Sequence, residues 1–189
     1  MKKIPRLLIV AGTGRKVGKT TVVCRIIESF RKCNITAVKI SSHFHDPQEH
    51  LKFIHRNSDY VIWEEISSTE DKDSSRFLAA GALCSFYIQA EKDASVMAFE
   101  KLIDLLPQSG PVVCESPSLA KGIIPGALII VSGDKSESSE SSVYSKEKDL
   151  SFLEGRNSYK IKTSEIVEGL AIPLTLNNTG FSIKGLKKL

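Results

Sequence analysis

With 189 residues, 41% of them hydrophobic and 25% charged, the chain has enough apolar mass for one packed core, which excludes a disordered or collagen-like protein. Its net charge of +4, from 26 basic and 22 acidic residues, contains no block of five basic residues, so no nucleic-acid-binding face is indicated. No apolar run approaches the roughly 18–20 residues that span a bilayer, and the basic start (Met1 to Arg6) leads through a short apolar run into glycines instead of a cleavage site. The expectation is a single cytoplasmic domain over residues 1–189 that binds neither nucleic acid nor membrane.

Short apolar runs alternate with helical stretches, the pattern of βα units on a mainly parallel sheet with helices on both faces. Arg6–Ala11 is continuously apolar and reads as a first strand buried on both sides. Thr20–Lys32 carries Val22, Val23, Ile26, Ile27 and Phe30, the stripe of an amphipathic helix. Ile35–Ile40 follows as a second strand and Asp59–Glu65 as a third. Asp73–Gly81 reads as a helix ended by its glycine, Leu83–Gln89 as a strand, and Ala94–Leu106 as a helix stopped by Pro107. Pro111–Glu115 and Ala127–Val131 are further buried strands on either side of a Pro/Gly-punctuated loop.

Asp134–Asp149 stands apart: six of its 16 residues are Ser and eight are charged, so it reads as a mobile excursion, either a lid or a plain loop. Residues 158–189 hold one or two short strands and end in a small basic tail, Lys184–Lys188. The four cysteines (Cys24, Cys33, Cys84, Cys114) form no C-x-x-C pair and read as free thiols.

The most specific signal is Gly12-Thr13-Gly14-Arg15-Lys16-Val17-Gly18-Lys19-Thr20-Thr21, placed between a buried strand and an amphipathic helix. Glycines let backbone N–H groups converge on an anion, and the helix N-terminus adds partial positive charge. This predicts a phosphate loop and hence the α/β fold of a P-loop NTPase, binding GTP or ATP. Lys19 would reach the β- and γ-phosphates, and the Thr20 hydroxyl would join the oxygen shell of Mg²⁺. Five residues separate Gly12 from Gly18, where the strict pattern has four, with Thr13 at the stricter glycine position.

A magnesium–nucleotide site needs carboxylates at strand ends. Glu115 ends one apolar strand, and Asp46 follows the second by a short loop; Glu64 and Glu65 are rivals. Lys39, at the end of the second strand, is expected to aim its ammonium across the sheet toward the glycine-rich loop, and with Lys19 and Glu115 it completes the catalytic candidates. All four histidines (His43, His45, His50, His55) cluster near Asp46; imidazole suits Zn²⁺, but their spacing matches no closed site. No Asn-Lys-x-Asp element identifies a guanine.

Val17-Gly18-Lys19-Thr20-Thr21, Ala37 to Asp46, Lys72-Asp73-Ser74-Ser75-Arg76 with Ala80-Gly81-Ala82, and Val112-Val113-Cys114-Glu115 follow one another in an order that resembles the molybdopterin-guanine dinucleotide biosynthesis protein B family (MobB). The resemblance covers roughly residues 6–135. It implies a homodimeric GTP-binding protein of weak hydrolysis that assists a cofactor-assembling partner enzyme. On it, Lys19 and Thr20 serve phosphate and Mg²⁺, Asp46 and Glu115 serve the metal, and Ser74 and Arg76 line a nucleotide or partner surface. Against that family, Ile40 replaces a histidine, Ser116-Pro117 follow Glu115, and residues 47–68 look inserted. A second resemblance, carried by the loop, Lys39 and Glu115, is to dethiobiotin synthetase, which implies ATP-driven ligation; the Gly-rich segment that family places after its glutamate is missing.

Overall fold

The structure is a computed structural model and describes residues 1–46, 48–91, 93–107, 109–133, 158–162, 164–165, 174–177 and 180–183. The expected excursion at 134–149 and the basic tail at 184–188 lie outside these residues.

In chain order the elements are β1 (Lys2–Gly12), α1 (Lys19–Ser29), β2 (Thr36–Ser41), β3 (Leu51–Arg56), β4 (Tyr60–Glu65), α2 (Asp73–Ala79), β5 (Cys84–Ala90), α3 (Ser95–Leu105), β6 (Val112–Glu115), β7 (Ile123–Ser132), β8 (Ser158–Lys162), β9 (Leu174–Asn177) and β10 (Gly180–Ile183). Eight strands form one sheet in the order β3-β4-β5-β2-β6-β1-β7-β8, and β9 pairs with β10 separately. From β5 to β8 every pairing is parallel; β4 and β3 add an antiparallel edge. The fold is therefore mixed α/β around a mostly parallel sheet, as the alternating pattern predicts.

Two cores lie on opposite faces of that sheet, because successive side chains of a strand point to opposite sides. Leu7, Ile9 and Ala11 of β1 join α3 (Ala98, Phe99, Leu102, Ile103) on one face. Leu8 and Val10 join α1 (Val22, Val23, Ile26, Ile27), Phe77 of α2 and Ala80 just after it on the other. All five β1 side chains are fully buried. At about 1.5–3 kcal/mol for each large side chain, this two-sided burial is what makes β1 the axis of the molecule. Among the described residues no helix is long and apolar enough to cross a membrane.

The structure departs from the expected elements in three places. β1 reaches back to Lys2 through Pro5, whose missing N–H argues for a later start. The β1–β7 register shifts between Ile4 and Leu8, so the proline sits at an irregularity where a ladder bond is not required. The inserted-looking stretch 47–68 holds two strands, not one: β3 pairs with β4 across a turn in which the Asn57 side chain accepts from the N–H groups of Asp59 and Tyr60. Finally, the chain after 157 contributes three described strands, β8, β9 and β10, beyond the one or two expected.

Gly126 and Gly180 both press on the backbone at Pro5: an added Cβ would lie 1.9 Å and 2.1 Å from the Pro5 carbonyl oxygen. Nothing flexible can yield there, because the obstacle is main chain. Gly126→Ala should lower stability by about 2–3 kcal/mol, read as a shifted urea midpoint at unchanged m-value.

Candidate functional site

The carboxyl ends of β1, β6 and β2 lie side by side because β6, formed late in the chain, inserts between the first two strands. Its Glu115 pairs in register with Val10 on one side and Lys39 on the other. A crevice at the carboxyl edge of a parallel sheet is the usual place for a ligand in such folds. Three sequence candidates thus arrive together: the glycine-rich loop after β1, Glu115 ending β6, and Lys39 near the end of β2.

The loop is shaped by close contacts. Gly18 caps α1 with φ 93°, and Lys16 also takes positive φ, at 58°. Gly12 leaves room for Lys19: a Cβ on it would lie 2.7 Å from Lys19 Cδ and 2.9 Å from Val17 Cγ2. The Lys19 side chain folds back over the loop, and its Nζ donates to the Gly14 carbonyl at 2.7 Å. Thr13 is anchored by its N–H to the Val131 carbonyl at 3.0 Å, Arg15 Nη2 lies 3.3 Å from His43 Nε2, and Thr21 is the third residue of α1.

Beside the loop, Lys39 Nζ lies 2.5 Å from Glu115 Oε1 and 2.6 Å from Asp73 Oδ2. Thr20 Oγ1 faces the same two acids, 2.9 Å from Glu115 Oε2 and 3.0 Å from Asp73 Oδ1. Glu115 is only 2% exposed. Burial alone would lower the Lys39 ammonium, but the two carboxylates outweigh it and hold lysine above its ordinary value. Burial likewise pushes the Asp73 carboxyl up, and Lys39 with the Thr20 hydroxyl overcomes it and holds Asp73 below the ordinary carboxylate range.

Asp73 enters the site unannounced. In the sequence it is the first residue of a short helix, and a first-turn carboxylate is accounted for by the helix dipole alone. The signal that could have found it is its place in the Lys72-Asp73-Ser74 stretch of the family-like segment. Asp46 goes elsewhere: it is exposed and lines a neighbouring cleft, and the second acid at Thr20 is Asp73. Glu64 pairs with Lys52 at the surface. Glu65 is buried and accepts from His50 Nδ1 at 2.9 Å, from Ser74 Oγ at 2.8 Å and from the Ser67 N–H at 3.0 Å. Ser74 is therefore buried while Arg76 is exposed.

The histidines part company. His50 bonds Glu65 and Gln48, His55 packs beside Tyr60 with ring centres 5.8 Å apart, and His43 and His45 lie 6.4 Å apart. Among the described residues no three His, Cys, Asp or Glu side chains are grouped to hold a metal ion. The cysteines are unpaired, as expected, and burial raises the Cys24 thiol to about 11.

The cleft next to this centre has a volume of 510 Å³ and is bounded by β2, β5, α2 and by His45, Asp46, Gln48, His50 and Leu51. Lys39 and Asp73 belong to both. Fold and site together define a mixed α/β protein with a charged centre at the carboxyl edge of a mainly parallel sheet. No family model matches the chain, and no curated protein or solved structure matches it.

Removing the ammonium would strand two acids, one of them buried. Lys39→Met should destabilise the protein by about 3 kcal/mol, at the lower end for a broken buried pair because Asp73 is 36% exposed. The Asp73 contribution is complete above about pH 4 and lost as pH falls through its lower folded value; the Lys39 contribution is complete below about pH 10 and lost as pH rises through its higher folded value. The gap in unfolding free energy between wild type and variant should shrink steadily as pH falls, because without Lys39 burial leaves the Asp73 carboxyl high and its protonation relieves the stranded charge, and shrink again above about pH 10, measured by urea unfolding.

Proposed function

We propose that the protein is a P-loop nucleoside-triphosphatase-type protein that binds a Mg²⁺–nucleoside triphosphate, GTP or ATP, on the loop Gly12–Gly18. The observation that carries this reading is the opening of α1. Lys19 and Thr20 start the helix at the end of the central strand, and the Thr20 hydroxyl faces two carboxylates at 2.9 and 3.0 Å.

The residues fit the cation. One hydroxyl proton can serve only one of the two carboxylate oxygens, so one close oxygen–oxygen contact has no hydrogen between its atoms. Two acids against one ammonium leave a formal charge of −1. A hard cation with oxygen ligands suits such a set, and Thr20, Glu115 and Asp73 would hold Mg²⁺ directly or through water, with phosphate oxygens completing the shell. Bound there, the ion would supply charge neutralisation for the phosphates. The chain's own groups do the rest: Lys19 leaves the Gly14 carbonyl for the phosphates, loop N–H groups and the N-terminus of α1 accept the anion, and Lys39 stands where charge builds on the terminal phosphoryl group.

Two finer readings share this site. In the first, supported by the resemblance to MobB, a guanine nucleotide is held and slowly hydrolysed in a homodimer that assists attachment of the nucleotide to molybdopterin by a partner enzyme. In the second, of the kind dethiobiotin synthetase represents, the phosphoryl group passes to a small molecule; the 510 Å³ cleft sharing Lys39 and Asp73 favours it.

A ligand at about a hundredfold its Kd adds about 2.7 kcal/mol, or roughly 5–10 °C in Tm for a chain of this size. Magnesium with GTP or ATP should produce that shift by differential scanning fluorimetry. Lys19→Ala should abolish it, and Glu115→Gln should remove most of the extra shift that magnesium brings over nucleotide alone. A chain indifferent to both nucleotides at millimolar concentration would overturn the reading.

A further inference from the structure

The glycine-rich loop carries more positive charge than Lys19 alone. Arg15 and Lys16, at its middle, are both exposed, and Arg15 has a definite direction. Its Nη2 lies 3.3 Å from His43 Nε2, and His43 stands two residues past Ser41, the end of β2. The loop follows β1, and in the sheet β6 lies between β1 and β2. The Arg15 side chain therefore crosses the carboxyl end of β6, the strand that ends in Glu115.

That crossing decides which end of a nucleotide the guanidinium would meet. Thr20 faces Glu115 and Asp73, so on the nucleotide reading the cation belongs on the β6 side of the loop. Mg²⁺ in such sites bridges the β- and γ-phosphates, which puts the γ-phosphate on that side too. Lys39 also lies there, but its ammonium is already shared between Glu115 and Asp73. Arg15 has no acid to leave: among the described residues it makes no ion pair and no hydrogen bond besides the one to His43.

The contact with His43 is one that a phosphate can displace. A guanidinium only donates, so His43 Nε2 must be the lone-pair nitrogen of a neutral imidazole, and it occupies one of five N–H groups. Both residues are exposed, so this is a single bond to a neutral acceptor beside water. Two phosphate oxygens offer the same planar fork a charged, bidentate partner.

Resting on the nucleotide reading above, we propose that Arg15 is the residue that recognises the γ-phosphate. When a triphosphate binds, the guanidinium exchanges His43 for the terminal phosphate oxygens, and the site thereby prefers a triphosphate to a diphosphate. His43 holds the side chain across β6 until then.

The test is calorimetric titration of the full chain, in magnesium, with the β,γ-imido analogue of GTP or ATP and with the matching diphosphate. Wild type should bind the triphosphate analogue about tenfold tighter or more, the usual worth of a hydrogen bond between charged groups. Arg15→Ala should abolish that ratio by weakening the triphosphate analogue alone, and the retained diphosphate affinity reports that the variant is folded. Arg15→Lys keeps the charge but loses the fork, and should recover only part of the ratio. His43→Ala should not lower the ratio, because the imidazole only yields the guanidinium; a fall would overturn the exchange. A wild type without preference, an unchanged ratio in Arg15→Ala, or equal weakening of both ligands, as a loop-shaping role would give, overturns the inference and leaves nucleotide binding standing. A wild-type chain that binds neither the analogues nor the diphosphates overturns the nucleotide reading itself.

Discussion

Everything at the carboxyl edge of the sheet is organised around one ammonium ion. Lys39 Nζ lies within 2.6 Å of both Asp73 and Glu115, and the same two acids face the Thr20 hydroxyl. The cluster ties together β2, β6, α1 and α2, elements drawn from both halves of the described chain. Desolvation alone would make a buried Glu115 and a largely buried Lys39 costly; mutual attraction at this separation outweighs that cost, which is why the lysine titrates high and Asp73 low. The arrangement sets two carboxyl groups and a single ammonium next to a helix N-terminus. On the proposed nucleotide reading, that site would take a cation and phosphate together.

The edge hairpin gives that cluster its outer support. Its second strand ends at Glu65, which is buried and receives hydrogen bonds from Ser74, the residue after Asp73, and from His50 at the base of the first strand. Phe53 and Trp63 hold the two strands face to face, with ring centres 5.6 Å apart. The segment that looks like a dispensable addition in the sequence is thus coupled through one carboxylate to the helix that delivers Asp73, and it also walls the cleft beside Lys39.

Legibility followed how local each signal is. The strand β1 and the helix α1 announce themselves because burial on two faces demands an unbroken apolar run and burial on one face demands the 3.6-residue stripe. The glycine-rich loop is equally visible, since room for Lys19 over Gly12 and positive φ at Gly18 both need glycine. β3 was not visible. As an edge strand with exposed Lys52, Phe53 and Arg56 it has no clean alternation to read. Only the Asn57-Ser58-Asp59 cluster before β4 hinted at a hairpin.

The amino-acid order alone determined the α/β class, the loop and its lysine, and the acid that ends β6, because each is written in a stretch of fewer than a dozen neighbouring residues. Tertiary structure decided which acids gather at Thr20. Asp73 lies 53 residues from Thr20 and Glu115 lies 95 residues away, and neither spacing carries information until β6 slots between β1 and β2 and the hairpin sets the start of α2. The same assembly sent Asp46 to the cleft wall and scattered the histidines, since proximity along a chain fixes little once strands pair out of order.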